Sequence, residues 1–426
     1  MKRALLLTYY VPPRQAIASV RAQHLTETLG KHGWDVIPVV PSAQGVTYRE
    51  PVRTTRNVDF KAPVRALLGV RPEETTHERF HVASSALHEH RSWKQSAIEA
   101  GHAVFSFTNN RFAWLGPGRM AVEEIIRRER VDAIISSSPP EGTHIVASLV
   151  RGNIPWIADL RDPWTRDDAL AVPYWMRPID GLLEAHVLEQ ADALVTVSEP
   201  LAQRLRERYV GKPAYAITNA FSRSEWWPVP FYHPPRATFV HAGSLYRGHR
   251  DPTAFFTALA SLLRRGSVKS DEVFVDFYGG SDEWLRALIA QHDLGEIVRF
   301  PGRIPRNDVM RRLRSASRLL LMAGSGSDER GTYTGKLFEY LGARRKIIVV
   351  GGPAEETVID DALARCNAGV RGRDARELEE PILEAISEWR SGKTAVLTED
   401  DVVPFEAAHL GAAFADVLER VTCART

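Results

Sequence analysis

The sequence predicts an α/β protein of two doubly wound units, each a mostly parallel sheet covered by helices. Three observations predict it. Short apolar runs alternate with amphipathic stretches along most of the chain, as they do where helices bury both faces of a parallel sheet. A Pro-rich stretch, WWPVPFYHPPR from Trp226 to Arg236, interrupts the alternation, which then restarts. The 426 residues, 44% of them hydrophobic, suffice for two or three cores.

The elements follow in order. Lys2 and Arg3 precede an apolar run, Ala4 to Val11, that stops at Pro12 and Pro13. It is too short to span a membrane and has no small-residue cleavage site, so it reads as a buried strand, Arg3 to Tyr9, rather than a signal peptide. Further strands are expected at Asp35 to Val40, Ala133 to Ser137, Trp156 to Asp159, Ala193 to Val197 and Ala214 to Ile217. Helices are expected at Val20 to His32, Ala121 to Arg130 and Leu183 to Gln190. Pro41 to about Arg119 is rich in Arg, His, Thr and Pro, shows no clear strand, and reads as an insertion of loops and short helices.

Beyond the Pro-rich stretch, strands are expected at Thr238 to Ala242, Val273 to Tyr278, Val298 to Phe300, Arg318 to Met322 and Lys346 to Val350. Helices fall at Pro252 to Leu263 and Asn307 to Ser315, and a last amphipathic stretch, Phe405 to Val421, can pack on either unit. The expected domains are therefore 1–225, 226–404 and a terminal helix, 405–426, crossing back to the first. No solenoid repeat or low-complexity segment is present.

A formal net charge of +2 provides no bulk field for nucleic acid, so any phosphate recognition must be local. Cys366 and Cys423 stand far apart and in no CxxC spacing, which argues against a disulfide framework or a zinc site and fits a reducing cytosol. In doubly wound sheets ligands bind at the carboxyl ends of strands, so the loops there carry the candidates.

Foremost is GSGSDERGTYTGKLFEYL, Gly324 to Leu341, where a strand runs through a glycine-containing loop into a helix starting near Thr334 or Gly335. Free N–H groups and the positive end of the helix dipole suit an anion there. Lys336 adds a full charge, and Glu339, about a turn further on, can accept from a pair of sugar hydroxyls. A P-loop would need Gly at position 330 and Ser or Thr at 337, where the chain has Arg330 and Leu337. The plain alternative is a glycine-entered helix whose Lys and Glu decorate its surface.

HAGSLYRGHRD places Gly243 after the next unit's first strand, with Arg247 and Arg250 available to phosphate oxygens; a solvated basic turn is the competing reading. FYGG and FPGRIP are further strand-end turns, which usually serve only as turns. In the first unit, Arg14 and Arg21 follow the first strand, His144 follows SSSPP at a helix start, and Arg161 and Asp162 follow another strand. A lone His at a helix start is more often a packing residue, and the acidic pair in RDD, Arg166 to Asp168, reads as solvated rather than metal-binding.

Taken in order, YYVPP, SSSPPEGTH, WIADLRDPW, VSEPLAQRL, ITNAFS, HAGSLYRG, FPGRIP and GTYTGKLFEYLGARRKIIVVGG resemble the GT-B glycosyltransferases, and within them the retaining glycosyltransferase family 4. The resemblance implies two Rossmann-like domains facing a cleft and metal-independent hexosyl transfer from a nucleotide-diphosphate sugar to a hydroxyl acceptor. Members with a similar YTGKLFEYL block are mostly associated with surface polysaccharide or natural-product glycosylation. It implies that Glu339 binds the ribose hydroxyls, that Tyr333, Thr334, Gly335 and Lys336 with Gly243, Ser244, Arg247 or Arg250 bind the diphosphate, and that Gly302, Arg303 and Ile304 contact the base. His144 and Asp162 become the catalytic candidates, and Arg14, Arg21 and Arg161 the acceptor-binding ones. No cofactor, metal or nucleic acid is implied, and the setting is cytoplasmic. Tryptophans and basic residues in the insertion and near Trp164 and Trp175 are candidates to meet a lipid-linked acceptor at the inner face of a membrane, or equally to be core.

Three departures stand out. The family's first acid is Gly331 here, so sugar contact would fall to Asp328 or Glu329; its usual Gly-Arg is Gly243-Ser244; and His144 stands in a PPxxxH context rather than a double-His one. Two alternatives follow: a weak or inactive relative that binds nucleotide sugar or supports a partner, and a GT-B sugar epimerase, which would need further acids.

Overall fold

A computed structural model describes residues 1–14, 17–43, 45–56, 112–164, 174–245, 247–280, 283–324 and 330–424. The chain divides into two compact units, Met1–Ile217 with Gly411–Thr426, and Thr218–Leu410.

The first unit is a seven-stranded parallel sheet of β1 (Lys2–Leu7), β2 (Trp34–Pro41), β3 (Arg53–Thr55), β4 (Ala133–Ser138), β5 (Trp156–Leu160), β6 (Ala193–Thr196) and β7 (Ala214–Ala216) in the order 3-2-1-4-5-6-7. Its described helices are α1 (Ile17–Leu29), α2 (Leu115–Arg128), α3 (Gly142–Val150), α4 (Arg177–Leu188) and α5 (Glu199–Arg208). Leu5, Leu7, Ile134, Trp156 and Leu194 are fully buried, as strands covered on both faces must be. The order reverses between β1 and β4, which run in register from Ala4↔Ala133 to Leu7↔Ser136.

β3 is a correction: the stretch from Pro41 to Arg119 does contain a strand. Three residues with an Arg and two Thr leave no apolar signature, and the strand is held by its neighbours: Val39 pairs with Arg53, and the buried Trp114 indole donates to Thr55 Oγ1 at 2.6 Å. Most of that stretch, 57–111, lies outside the described residues, as does RDD.

The second unit is a six-stranded parallel sheet of β8 (Ala237–Ala242), β9 (Val273–Tyr278), β10 (Val298–Arg299), β11 (Arg318–Ala323), β12 (Ile347–Gly351) and β13 (Gly369–Gly372) in the order 10-9-8-11-12-13. Its longer helices are α6 (Thr253–Arg264), α7 (Glu283–Gln291), α8 (Arg306–Ser315), α9 (Gly335–Ala343), α10 (Val358–Arg365) and α11 (Ala375–Arg390). Phe239, Phe255, Phe256 and Phe277 pack edge-on and tilted into one core cluster of this unit. β13 was not expected, because GVRG is an edge strand with glycine at both ends and no apolar run.

Phe221 and Trp226 are buried in the second unit's core, so the division falls at Ile217–Thr218 rather than at 225–226. The last helix, α12 (Ala407–Cys423), contributes its residues from Gly411 onward to the first unit. There the Arg21 guanidinium lies 5.3 Å from the Phe414 ring, and Lys2 Nζ meets Glu419 at 2.5 Å. Among the described residues no helix is long and apolar enough to cross a membrane.

Candidate functional site

In the second unit the order reverses between β8 and β11, and their ladder consists of Phe239↔Arg318 and Val240↔Leu319. Beyond those pairs side chains take over. The Leu320 carbonyl accepts from His241 Nδ1 at 2.8 Å and from Tyr340 Oη at 3.2 Å, and Ala242 N–H donates to Tyr340 Oη at 3.1 Å. A switch point of this kind is where doubly wound sheets hold ligands.

Lys336, on the first turn of α9, arrives at that point. Its Nζ lies 3.3 Å from His241 Nε2 and 3.5 Å from the Ser244 carbonyl, and its stem crosses Gly243. A Cβ on Gly243 would stand 2.3 Å from Lys336 Cε, and the residue's φ of 130° also favours glycine. Gly279 leaves similar room for the Gly243 carbonyl: a Cβ there would come within 2.6 Å of it.

Burial, and then the charge of Arg250, push the Lys336 ammonium down to about 7, while Glu339 opposes them. Among the described residues Lys336 forms no ion pair with a carboxylate. The N-cap residue of α9, Thr334, makes no side-chain cap, and the positive end of the helix dipole lies beside Lys336. Two cations and a helix N-terminus are the groups an anion would meet at this point.

The other expected residues divide. Asp251 orders the loop carrying Arg250, accepting from Gly248 N–H at 3.0 Å and Thr253 N–H at 2.9 Å; Arg247 is exposed. Glu339 accepts from Arg306 Nη1 at 2.8 Å, and Arg306 Nε donates to Glu225 at 2.8 Å, so one guanidinium joins two carboxylates. Gly302, at φ 79°, accepts from Gly279 N–H at 3.3 Å and so adjoins the same strand ends, with Arg303 exposed and Ile304 packed on the core. Tyr333 turns its ring edge-on to Phe338 and Phe405, and burial raises its phenol to about 12, so its ring packs in the core. Asp328 and Glu329 lie outside the described residues. His241 and Tyr340 were missed: at the end of an apolar strand and inside a helix they read as core, and only a polar residue at a strand's carboxyl end hinted otherwise.

In the first unit a second group of polar residues sits at the ends of β4 and β5. His144 is fully buried; Nδ1 lies 2.6 Å from Ser136 Oγ, which accepts the Trp156 indole N–H at 2.7 Å, and Nε2 has no hydrogen-bond partner among the described residues. Indole can only donate, so the single Ser136 hydrogen is spare for Nδ1 and the ring proton falls on Nε2. The opposite tautomer would leave the serine hydrogen unmatched as well. The Trp164 ring stacks 5.9 Å away, and burial drives the imidazole down to about 3, keeping it neutral.

Arg21 is turned inward. Its Nη2 and Nε meet Asp159 at 2.7 and 3.0 Å, Nη2 also donates to the Ile217 carbonyl at 3.0 Å, and both charged side chains are essentially unexposed. Its place as an acceptor ligand is therefore corrected: a buried arginine needs its counter-charge, and Asp159 on β5 supplies it. Arg161 is spent in the same way, donating to the Ser138 and Pro139 carbonyls at 2.7 and 2.9 Å and holding the SSSPP turn. Arg14 stays half-buried, 4.6 Å from the Tyr10 ring, and Asp162 is half-buried beside Arg161. No cluster of three metal-ligating side chains occurs among the described residues.

Residues 18–225, just under half of the chain, match the family model described as Glycosyltransferase Family 4. No curated protein matches the chain by sequence. Solved structures align along its whole length. Sucrose-phosphate synthase from Thermosynechococcus elongatus is 13% identical with a TM-score of 0.62, each chain covered in full. An E. coli trehalose-6-phosphate structure bound with UDP-2-fluoro glucose is 10% identical with a TM-score of 0.59, covering 98% of this chain and 99% of its own. The UDP-forming α,α-trehalose-phosphate synthase from Burkholderia xenovorans, in complex with glucose-6-phosphate, is 12% identical with a TM-score of 0.57, covering 98% of this chain and all of its own. Fold and family match agree on a class: the chain has the GT-B fold with two Rossmann-like units, and its residues 18–225 match a glycosyltransferase family. Within that class it resembles glycosyltransferase family 4.

Proposed function

We propose that the chain is a retaining hexosyltransferase that moves a sugar from a nucleoside-diphosphate sugar to a hydroxyl acceptor in glycan, glycolipid or natural-product assembly. The observation that supports this most is the Lys336 ammonium on the first turn of α9, largely withdrawn from water beside Arg250 and without a carboxylate counter-ion among the described residues. Its depressed basicity is what a cation shows when the anion it serves is a ligand.

In this reading Lys336, Arg250 and the first N–H groups of α9 hold the diphosphate, and Glu339, steadied by Arg306, accepts the ribose hydroxyls. The turn at Gly302 receives the base. The sugar C1–O bond breaks with its electron pair passing to the diphosphate, whose growing charge the two cations and the helix dipole stabilise. The acceptor oxygen bonds to C1 from the same face, and its proton passes to a diphosphate oxygen. His144, neutral and protonated on Nε2, is no base and is assigned a hydrogen-bond donor's role in turnover. No protein nucleophile, metal or resident cofactor is assigned a step.

The test is thermal stabilisation by UDP, GDP, ADP and dTDP, each without and with magnesium, followed by product analysis with the matching sugar donor. Selective stabilisation by one diphosphate without metal, and a new glycoside of retained configuration, are expected. Stabilisation only with magnesium would overturn the charge assignment, a free altered sugar would indicate an epimerase, and no response would favour an inactive relative.

A further inference from the structure

We infer that His241 is the positioning residue that holds Lys336 in place for the anion. The inference rests on the anion site proposed above and concerns a side chain that has no part in that reading.

The argument begins with a donor count. His241 is fully buried, and its Nδ1 lies 2.8 Å from the Leu320 carbonyl, which can only accept. In the neutral ring Nδ1, at this short distance, therefore carries the proton, and Nε2 keeps its lone pair although the Ser244 carbonyl also lies beside the ring. That lone pair faces the Lys336 ammonium, which can only donate, at 3.3 Å. One ammonium hydrogen goes to Nε2 and one toward the Ser244 carbonyl at 3.5 Å, leaving a third for a ligand oxygen.

Geometry gives the contact its purpose. Four carbons of lysine stem would otherwise sample many rotamers, and immobilising such a chain on binding costs free energy. Here the stem is laid over Gly243, where no Cβ intervenes, and its end is fastened by a ring pinned to β11. The same Leu320 carbonyl takes the Tyr340 hydroxyl from α9, so the strand that fixes His241 also fixes the helix that carries Lys336. Anchor and cation therefore share one frame. The ring packs 5.7 Å from Phe277, and burial together with the Lys336 charge keeps it neutral, as an acceptor for an ammonium must be.

The experiment uses the full chain and two readouts. Side-chain 15N NMR reports the His241 tautomer and the Lys336 Nζ signal, assigned with a Lys336→Arg control; calorimetry measures binding of inorganic pyrophosphate and of UDP. In the wild type His241 should be the Nδ1–H tautomer. His241→Phe, which keeps the ring and loses the acceptor, should shift the Lys336 signal and weaken pyrophosphate binding about tenfold or more, the worth of one charge-assisted hydrogen bond. His241→Gln, whose amide oxygen can stand near the lost Nε2, should recover most of that affinity, whereas His241→Asn should not. An Nε2–H tautomer in the wild type, which needs no variant to observe, would overturn the inference, as would an unchanged Lys336 signal and affinity in His241→Phe. Should the tautomer and the Lys336 shift come out as expected while the wild type binds neither probe, the positioning role would stand and the donor-site reading would fail.

Discussion

Ser136 Oγ lies 2.6 Å from His144 Nδ1 while accepting the Trp156 indole N–H, a relationship that makes the buried histidine a donor at Nε2. Ser136→Ala removes the group that selects this tautomer. Turnover should fall about tenfold, the scale of one hydrogen bond, with a smaller change in donor affinity. The stranded indole N–H should also lower stability by about 1–3 kcal/mol. Imidazole 15N shifts and a KM-against-kcat comparison check it; a wild-type tautomer in the variant with full turnover would remove Ser136 from the argument.

Glu339 and Arg306 form a second such pair at 2.8 Å, and the prediction concerns the sugar of the nucleotide. Glu339→Ala should weaken binding of a ribonucleoside diphosphate about tenfold, in line with losing a charged hydrogen-bond partner. Binding of its 2′-deoxy counterpart should change less. Arg306→Leu should act in the same direction by releasing the carboxylate. Equal affinity losses for both nucleotides would show that Glu339 does not read the ribose.

Gly243→Ala brings a methyl group to within 2.3 Å of the Lys336 stem and requires φ of 130° from a residue with a Cβ. The cost is about 1–3 kcal/mol of local strain, or displacement of the lysine. Pyrophosphate binding should drop at least as far as in Lys336→Met, while the first unit keeps its melting transition. Calorimetry beside a thermal melt separates lost binding from lost folding.

The parts of this site that show in the sequence are those whose residue types are unusual where they stand. Gly243 after a strand, and Lys336 and Glu339 at the start of a helix behind a small polar loop, are conspicuous because a core has no use for them. His241 and Tyr340 are hidden because strand and helix patterns absorb them, and only coordinates reveal that both meet one carbonyl. Arg21 misleads for the opposite reason: a charge after a strand suggests a ligand until Asp159, 138 residues away, is found against it. The strands follow the same logic. β1, β11 and β12 are largely apolar runs with buried centres, while β3 and β13 are short edge strands whose pairing no local pattern records.

Acid stability tests the two buried histidines together. Burial holds His144 at about 3 and His241 well below its ordinary value, whereas the unfolded chain protonates both near 6.5. As pH falls below 6.5 the unfolded state gains protons that the folded state refuses, so stability declines in that direction and is fully present above it. The decline is about 1.4 kcal/mol per pH unit for each histidine. Comparing urea unfolding at pH 7.5 and 5.5 for wild type, His144→Gln and His241→Gln should show a shallower loss in each variant; identical losses would mean that the imidazoles are not buried neutral.

Lys336 makes the binding step itself pH-dependent. With burial and Arg250 lowering its ammonium to about 7 against the pull of Glu339, and His241 neutral beside it, the free protein loses this cation as pH rises through neutrality. A diphosphate binds the charged form, so affinity should be highest below pH 7 and fall toward about tenfold per unit above it. With UDP as the probe the ligand adds nothing to the slope there, since its last ionisation lies near pH 6. Binding at pH 8 should therefore draw in a proton, which calorimetry in buffers of different ionisation enthalpy measures directly. Lys336→Met should bind weakly and with a flat profile from pH 7 to 9, and Lys336→Arg, charged throughout, should be flat as well. A wild-type profile as flat as theirs would show that Lys336 is charged before the ligand arrives, and that the site is already neutralised by a partner other than the diphosphate.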